Sequence, residues 1–286
     1  MTGYKLLLRK FLQDRLALSG FLIVLTLIVV AVFAPSLAPY PDDAHTIHLS
    51  ERFQKPSLKH FFGTDNVGRD IFSRVIFGAR VSLTISIIAV GSCLIIGVPI
   101  GLIAGFYESW LGEVLMRTSD IFLSIPRVVL ALALATALGP SMPNIILALS
   151  ITYWPWFTRL VFAETRSLKN SVFIEATQAL GASSFRTVIL HVLPNVLSPI
   201  IIRSSVGMGY TILTAATLGF LGVGAPPPTP EWGVTIADSR QFLPEAWWYA
   251  TFPGLAIFIT VMGFNMLGDG LRDILDPRLR RAGKAE

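Results

Sequence analysis

The stretch VSLTISIIAVGSCLIIGVPIGLIAGF, from Val81 to Phe106, decides the fold class of this chain. It contains no charged residue and is longer than the roughly 20 apolar residues that a helix needs to cross the hydrocarbon core of a bilayer. The whole chain of 286 residues has a similar character, with 53% hydrophobic residues, 14% charged residues and a mean hydropathy of +0.64. A soluble protein needs a more polar surface than this, so the sequence indicates a membrane protein.

Five further apolar blocks lie on either side of this stretch. They run from Leu18 to Ala38, from Ile121 to Leu138, from Asn144 to Phe162, from Leu197 to Val223 and from Ala250 to Leu267. Lipid offers the backbone no hydrogen-bond partner, and the blocks lack the alternation of an outer-membrane barrel, so each should be a helix. The sequence therefore predicts an all-α polytopic membrane protein with six transmembrane helices. Pro126, after Ile125, marks a bend or the start of the third of them.

The first block has basic residues ahead of it, as a secretory signal does. However, the apolar run from Leu16 to Ala38 is too long for a signal, and Pro39 directly follows the small residue at which cleavage would occur. We interpret the block as a retained first span.

Lysine and arginine residues predict the orientation, because segments rich in them stay in the cytoplasm. The N-terminal tail, residues 1–17, contains Lys5, Arg9, Lys10 and Arg15, and the C-terminal tail, residues 270–286, contains Arg272, Arg278, Arg280, Arg281 and Lys284. Both tails are therefore expected in the cytoplasm, and the protein in the inner membrane. An outer loop at 39–80 follows the first span, 18–38, and has bases of its own, namely Arg52, Lys55, Lys59, Arg69 and Arg74.

The remaining boundaries follow from this orientation. Residues 70–77 have apolar side chains at helical spacing and are predicted to form a helix along the outer interface. Residues 81–269 should form a core of five spans, with a cytoplasmic loop at 164–195 that consists of two short helices and a bend.

Several function classes lack their residues in this chain. No Gly-x-x-x-x-Gly-Lys-Ser/Thr phosphate loop occurs, so ATP would have to be hydrolysed by another chain. The sequence also has no catalytic motif of the Gly-x-Ser-x-Gly or His-Glu-x-x-His kind and no basic stripe that indicates nucleic acid. Cys93 is a single cysteine, and His45 with His48 provides too few ligands for a metal site. We expect a transport subunit with no catalytic residue, metal or cofactor of its own.

The cytoplasmic loop contains FIEATQALGAS, from Phe173 to Ser183, followed by ILHVLPN, from Ile189 to Asn195. An isolated Glu-Ala-x-x-Ala pattern is merely typical of a good helix. With the glycine and the Leu-Pro pair in register, however, the loop resembles the signature loop of ABC importer permeases. The resemblance implies that Glu175 to Ala182 form a coupling helix that docks into a groove on a nucleotide-binding subunit. It assigns the coupling role to Glu175, Ala176, Ala179, Gly181, Ala182, Ser183, Leu193, Pro194 and Asn195.

Three other blocks identify a branch of that family. They are HFFGTDNVGRDIFSR from His60 to Arg74, FLGVGAPPPTPEWG from Phe220 to Gly233, and GDGLRDILDPR from Gly268 to Arg278. They are similar to the dipeptide, oligopeptide and nickel branch, in its shorter, second permease. One departure is that Ala215 and Ala216 stand where the branch often has a carboxylate in the fifth span, which weakens any role for an intramembrane acid.

The resemblance also implies the partners and the activity. The partners would be a second homologous permease, two cytoplasmic ATPase subunits that hold ATP and Mg, an extracytoplasmic solute-binding protein and lipid. The function would be import of di- or oligopeptides, with nickel complexes, opines or short sugars as alternatives within the family. An ion-coupled secondary transporter is the rival from another class. It would need an intramembrane carboxylate or a broken helix to couple an ion, and the spans offer no Asp or Glu beyond their margins.

Polar residues within the spans are the candidates for a translocation path. They are Ser86, Tyr153, Ser204, Tyr210 and Asn265. Small hydroxyl groups equally favour close helix packing in lipid, so this alternative stays open for each of them. Arg203 lies near the predicted cytoplasmic end of its span, where its side chain can extend to the interface.

Overall fold

The computed structural model describes residues 9–42, 46–107 and 109–275. Within these residues the regular structure is helical apart from one isolated bridge between Thr64 and Asp70, which confirms the predicted all-α class. The α-helices are α1 Arg15–Val32, α2 Ala34–Leu37, α3 Ile71–Phe106, α4 Trp110–Ser124, α5 Arg127–Leu138, α6 Met142–Lys169, α7 Val172–Ala179, α8 Ser184–Thr187, α9 Leu193–Leu218, α10 Trp232–Ser239 and α11 Trp247–Leu275. The chain also has short 3-10 turns at Leu49–Glu51 and Arg240–Phe242, π-helical turns at Val188–Val192 and Gly219–Val223, and helical residues at 9–13 ahead of α1.

Some predicted features lie outside the described residues. These are Lys5, His45 and the tail from residue 276 onward, with Arg278, Arg280, Arg281 and Lys284.

Five helical segments of the described chain are long and apolar enough to span a membrane. They are α1, α3, α6, the run Ser184–Val223 that includes α8 and α9, and α11. The pair α4 and α5 forms a sixth segment if it counts as one broken span, because the two helices meet at an angle of 91°. The break falls at Ile125 and Pro126, where proline forces the preceding residue into an extended conformation. The bend that Pro126 predicts is therefore present.

The direction of packing shows that the broken pair carries the chain from one end of the bundle to the other. A Cβ atom on Gly97 of α3 would lie 2.7 Å from the carbonyl oxygen of Trp154, and one on Gly105 would lie 2.8 Å from Cβ of Thr165. Residue numbers rise together along α3 and α6, so the two helices are parallel. The chain between them must return to the end at which α3 began, and α4 with α5 makes that return.

Helix α1 runs antiparallel to its two main neighbours. The guanidinium Nε of Arg80, near the start of α3, donates to the carbonyl of Ala31, near the end of α1, at 2.9 Å. Gly20 packs against the backbone of Met266, and Gly270 against Ala17, so α11 descends as α1 ascends. Small residues at these crossings let the backbones approach closely, which is how helices associate in lipid.

These directions define two ends of the bundle. We call the end that holds Arg15, residues 164–195 and Leu275 the basal end. The apical end holds residues 33–42, 46–70, 139–141 and 224–246. The even number of traverses leaves both ends of the described chain at the basal end, together with the predicted coupling loop.

The second span differs from its predicted bounds. Helix α3 begins at Ile71 rather than at residue 81, so residues 70–77 form its first turns and not a separate interfacial helix. Asp70 caps the helix, since its Oδ2 accepts a hydrogen bond from the backbone N–H of Ser73 at 2.7 Å. Ile71 is fully buried in a cluster with Trp248 and Tyr249, and this tertiary contact extends the helix beyond its apolar block.

Candidate functional site

The predicted coupling loop consists of two short helices with a bend. Helix α7 ends at Ala179, and Gly181 follows with φ of +87°, a conformation that glycine adopts at little cost. Ser183 then caps α8, because its Oγ accepts a hydrogen bond from the N–H of Arg186 at 3.4 Å. The π-helical turn and α9 continue directly from there, with Pro194 in the first turn of α9.

The loop presents an apolar surface at the basal end. Ile174 is fully buried against residues of α3, α6 and α9, so it anchors α7 to the bundle. In contrast, Val172, Leu180 and Phe185 are 81%, 89% and 72% exposed. Such an exposed apolar group is typical of a surface that binds another protein.

The nine predicted coupling residues lie in α7, in the bend after it and in the first turn of α9. Seven of them are exposed and two, Ala182 and Leu193, are half-buried. Glu175 lies in the first turn of α7, where the helix dipole favours a negative charge. Asn195 is turned back to its own helix, since its Nδ2 donates to the carbonyl of His191 at 2.7 Å.

A separate site, which is polar, lies where α5, α6 and α9 meet. The guanidinium of Arg127 lies over the ring of Tyr210, 3.4 Å from its centroid, and 4.4 Å from the ring centroid of Tyr153. Its Nη2 donates to Oγ1 of Thr214 at 3.1 Å. The structure thus brings together two of the predicted path residues, Tyr153 and Tyr210.

Arg127 is a residue that the sequence interpretation missed. The sequence could have indicated it, because a basic side chain within the predicted span Ile121–Leu138 is costly in lipid and indicates a functional site. A second arginine, Arg203 of α9, lies over the ring of Trp156 of α6 at 4.7 Å. Arg203 lies seven residues, or about two helical turns, before Tyr210 on α9, so the two side chains lie on the same face of that helix.

The other predicted path residues are not part of this cluster. The hydroxyl of Ser86, which is fully buried, donates to the carbonyl of Leu83, and that of Ser204 donates to the carbonyl of Ile200. These bonds stay within their own helices, as expected for residues that assist packing. Asn265 is half-buried on α11 and makes no side-chain hydrogen bond within the described residues.

The basic residues of the apical loop are largely neutralised within it. Arg69 and Arg74 are both buried, and their Nε atoms lie 2.6 Å and 3.9 Å from Oδ2 of the buried Asp65. Lys59 forms an ion pair with Glu51, and its hydrogen bond lowers the pKa of that carboxyl. The loop therefore presents less free positive charge than its composition indicates.

The apical end also contains a buried acid. Glu231 caps α10, because its two oxygens accept hydrogen bonds from the N–H groups of Gly233 and Val234 at 2.9 and 2.7 Å. Burial raises the pKa of this carboxyl, although the two backbone bonds oppose the effect. Burial also raises the pKa of Asp238, against the pull of Arg69 and Arg74.

Comparison with solved structures supports the fold. Two crystal forms of the MetNI methionine ABC transporter, in inward-facing conformations, contain a chain that superposes with TM-scores of 0.58 and 0.59. The match covers 70–71% of this chain and 96–97% of the other, at 18–19% identity. At this identity the likeness concerns the fold alone.

Sequence comparison identifies the family. This chain is 46% identical over 268 residues to the dipeptide transport permease DppC of Alkalihalophilus pseudofirmus, covering 94% of this chain and 88% of that one. It is 41% identical over 280 residues to the glutathione transport permease GsiD of Pectobacterium atrosepticum, covering 98% and 92%. Residues 4–56 match the N-terminal transmembrane domain of oligopeptide transport permease C, and residues 97–281 match the inner membrane component of binding-protein-dependent transport systems. The chain therefore belongs to this family of ABC importer permeases, in its dipeptide and oligopeptide branch.

Proposed function

We propose that the chain is the second permease of an ATP-driven importer for di- or oligopeptides. The observation that carries the proposal is the similarity to a dipeptide permease at 46% identity over nearly the whole length. The glutathione permease is similar over a comparable length, and glutathione is itself a short peptide. The sequence contains no phosphate loop, so we expect partner chains to bind Mg and hydrolyse ATP.

In this proposal the apolar surface of the basal loop docks onto an ATPase subunit. Val172, Leu180 and Phe185 would be buried in the contact, while Ile174 fixes α7 to the bundle. Movement of the ATPase would then be transmitted to α6 and α9, which flank the loop and contribute Tyr153, Arg203 and Tyr210 to the polar site described above. A second permease would complete the translocation path, and a solute-binding protein would deliver peptide at the apical end.

The basal end would face the cytoplasm. The charge rule supports this orientation, because Arg166, Lys169 and Arg186 lie at the basal end. The pairing of Asp65 with Arg69 and Arg74 supports it as well, since it reduces the free positive charge of the apical loop.

Purification of the tagged chain in mild detergent, followed by reconstitution, tests the proposal. We expect two ATPase chains and a second permease to copurify, and we expect vesicles with added binding protein to take up labelled dialanine only when ATP is supplied. Nickel complexes, opines and short sugars serve as competing solutes. Uptake driven by an ion gradient without the ATPase would replace the proposal with secondary transport.

A further inference from the structure

Two cations in the membrane-spanning part of this chain have no carboxylate partner among the described residues. Arg127 and Arg203 form no ion pair there, whereas Arg159, on the same helix as Trp156, pairs with Asp120. Helices α5 and α9 contain no Asp or Glu, and α6 contains only Glu164, two turns beyond Trp156. An arginine in a span normally faces a partner or a water-filled cavity, because lipid does not solvate it.

The protein provides hydrogen-bond partners for only part of the Arg127 guanidinium among the described residues. Its faces lie against the two tyrosine rings, and its polar neighbours are neutral oxygens of Thr214 and Tyr153. The buried Nε has no hydrogen-bond partner within the described residues. An unsatisfied buried donor is unfavourable unless another group can compensate it.

The residues that α9 contributes to the site lie on one face of that helix. Arg203, Gly207, Tyr210 and Thr214 follow one another at intervals of four, three and four residues, so they form one stripe of the helix. Gly207 admits Tyr153, because a Cβ there would lie 2.7 Å from the tyrosine hydroxyl.

The site reaches the surface of the chain at two aromatic residues, one on α9 and one on α6. Tyr210 is 43% exposed and Trp156 is 44% exposed, so the site opens to the outside of the subunit. The aromatic rings hold both guanidinium groups in place at a surface where a ligand can reach them.

We propose that Arg127 and Arg203 bind the terminal carboxylate of the peptide as it passes through the permease. This inference rests on the proposed function and names the chemical group that the path recognises. Guanidinium groups bind carboxylates through paired, charge-assisted hydrogen bonds, and two uncompensated cations favour an anion over the ammonium end of a peptide. The aromatic rings accept the apolar part of the ligand without selecting its side chain.

The test uses the complete transporter in proteoliposomes, with its own binding protein, and measures initial uptake of labelled dialanine and of labelled dialanine amide. We expect Arg127→Gln and Arg203→Gln each to reduce dialanine uptake roughly tenfold, as the loss of a charged hydrogen bond implies, and to affect the amide less than about twofold. Each variant is compared with the wild type for the same solute, so selection by the binding protein cancels. Arg117→Gln removes an arginine that is 74% exposed on α4 and should change neither rate.

A photoreactive residue gives a second readout that does not depend on amide uptake. Trp156→benzoylphenylalanine should crosslink to labelled dialanine during ATP turnover, and adding Arg203→Gln should abolish the crosslink. Equal loss for both solutes, unchanged dialanine uptake or no crosslink would overturn the inference. Loss of the second permease from the purified variants would also overturn it, because the arginines would then pair across that interface. If the wild type takes up neither solute, the proposed function fails as well.

Discussion

Asp65 is the residue on which the apical loop depends. Its carboxylate is fully buried and accepts hydrogen bonds from the backbone N–H groups of Val67 and Arg69, both at 2.9 Å, and from Nε of Arg69. Arg74, also buried, lies at 3.9 Å. One side chain therefore fixes a turn and compensates two cations, which explains how a loop with a polar sequence can have a packed interior.

Replacing Asp65 should destabilise the protein strongly. Asp65→Asn keeps the size of the side chain but removes the buried carboxylate that pairs with Arg69 and lies 3.9 Å from Arg74, and we expect a loss of about 3 kcal/mol in the free energy of unfolding. Thermal unfolding of the purified chain in detergent measures the effect. Glu113→Gln is the matched control, because it breaks an exposed pair with Arg117 and should cost less than about 1 kcal/mol. Equal effects of the two substitutions would contradict the role of Asp65.

Glu231 should make stability depend on pH in the opposite sense to an ordinary surface acid. Its pKa in the folded protein is raised above 4.5, so the folded state binds the proton more tightly than the unfolded state does. The stabilisation that the protonated carboxyl contributes to the folded state is complete below pH 4.5 and is lost as the pH rises through the pKa of the folded protein. The stability of the wild type should therefore fall relative to Glu231→Gln between pH 5 and pH 8, as measured by unfolding temperatures. Parallel profiles of the two proteins would show that burial does not perturb this carboxyl.

At the scale of the helices, hydrophobic blocks locate the spans but not their ends. Helix α3 begins ten residues before the predicted block, because Asp70 and Arg74 look like loop residues until their partners are known. Helix α4 begins at Trp110 although the predicted block begins at Ile121, since Glu113 and Arg117 interrupt the apolar pattern. A single sequence records the polar residue and not the contact that buries it.

The same limit applies to the site. The two short helices and the bend of the coupling loop could be predicted, because the turn depends on local residues such as Gly181. The bounds of the first helix could not, since it runs from Val172 to Ala179 and not from Glu175 to Ala182. The cluster around Arg127 could not, because its members come from three helices and α5 meets α9 only after the chain has turned at Pro126. The sequence also could not decide whether the serine hydroxyl groups line the path or assist packing, since only the structure shows whether a serine forms its hydrogen bond within its own helix.

The bend of the coupling loop should be essential for transmission from the ATPase. Gly181 has φ of +87° and its N–H donates to the carbonyl of Gln178 at 2.9 Å, whereas proline fixes φ near −65° and has no N–H. Gly181→Pro should therefore lower the ratio of peptide transported to ATP hydrolysed, while the chain still assembles in the membrane. The ratio is measured in proteoliposomes with the full complex.

A conservative substitution at the same position is the control. Gly181→Asn should retain most of the coupling, because asparagine tolerates the left-handed conformation and no atom would lie within 4 Å of its Cβ. Normal transport by Gly181→Pro would show that the coupling-helix assignment is wrong.

For the whole molecule, the parallel packing of α3 and α6 decides the topology. Five spans alone would put the coupling loop and the first residues of α1 at opposite ends. The broken pair α4 and α5 adds the sixth traverse, although α5 has only 12 residues and covers roughly 18 Å of a hydrocarbon core about 30 Å thick. Helix α4 precedes α5 in the chain, at an angle of 91° to it, and provides the remainder of the traverse because α5 alone is too short to reach both membrane surfaces.

This topology and the proposed orientation predict which positions an impermeant reagent can reach. Cys93→Ala removes the chain's single cysteine, which is buried. Leu58→Cys and Leu180→Cys are then a matched pair, since the two leucines are 93% and 89% exposed at the apical and basal ends. In intact cells without the outer membrane, a charged maleimide should label the cysteine at position 58 and not the one at 180.

After the membrane is dissolved in denaturing detergent, both should react, because neither the bilayer nor a bound ATPase then protects position 180. Labelling of 180 alone in intact cells would reverse the orientation but leave the bundle unchanged. Labelling of both in intact cells would place the two loops on one side of the membrane, which the parallel packing of α3 and α6 does not allow, since each of these helices ends at the basal end. The two positions therefore test the orientation and the sixth traverse separately.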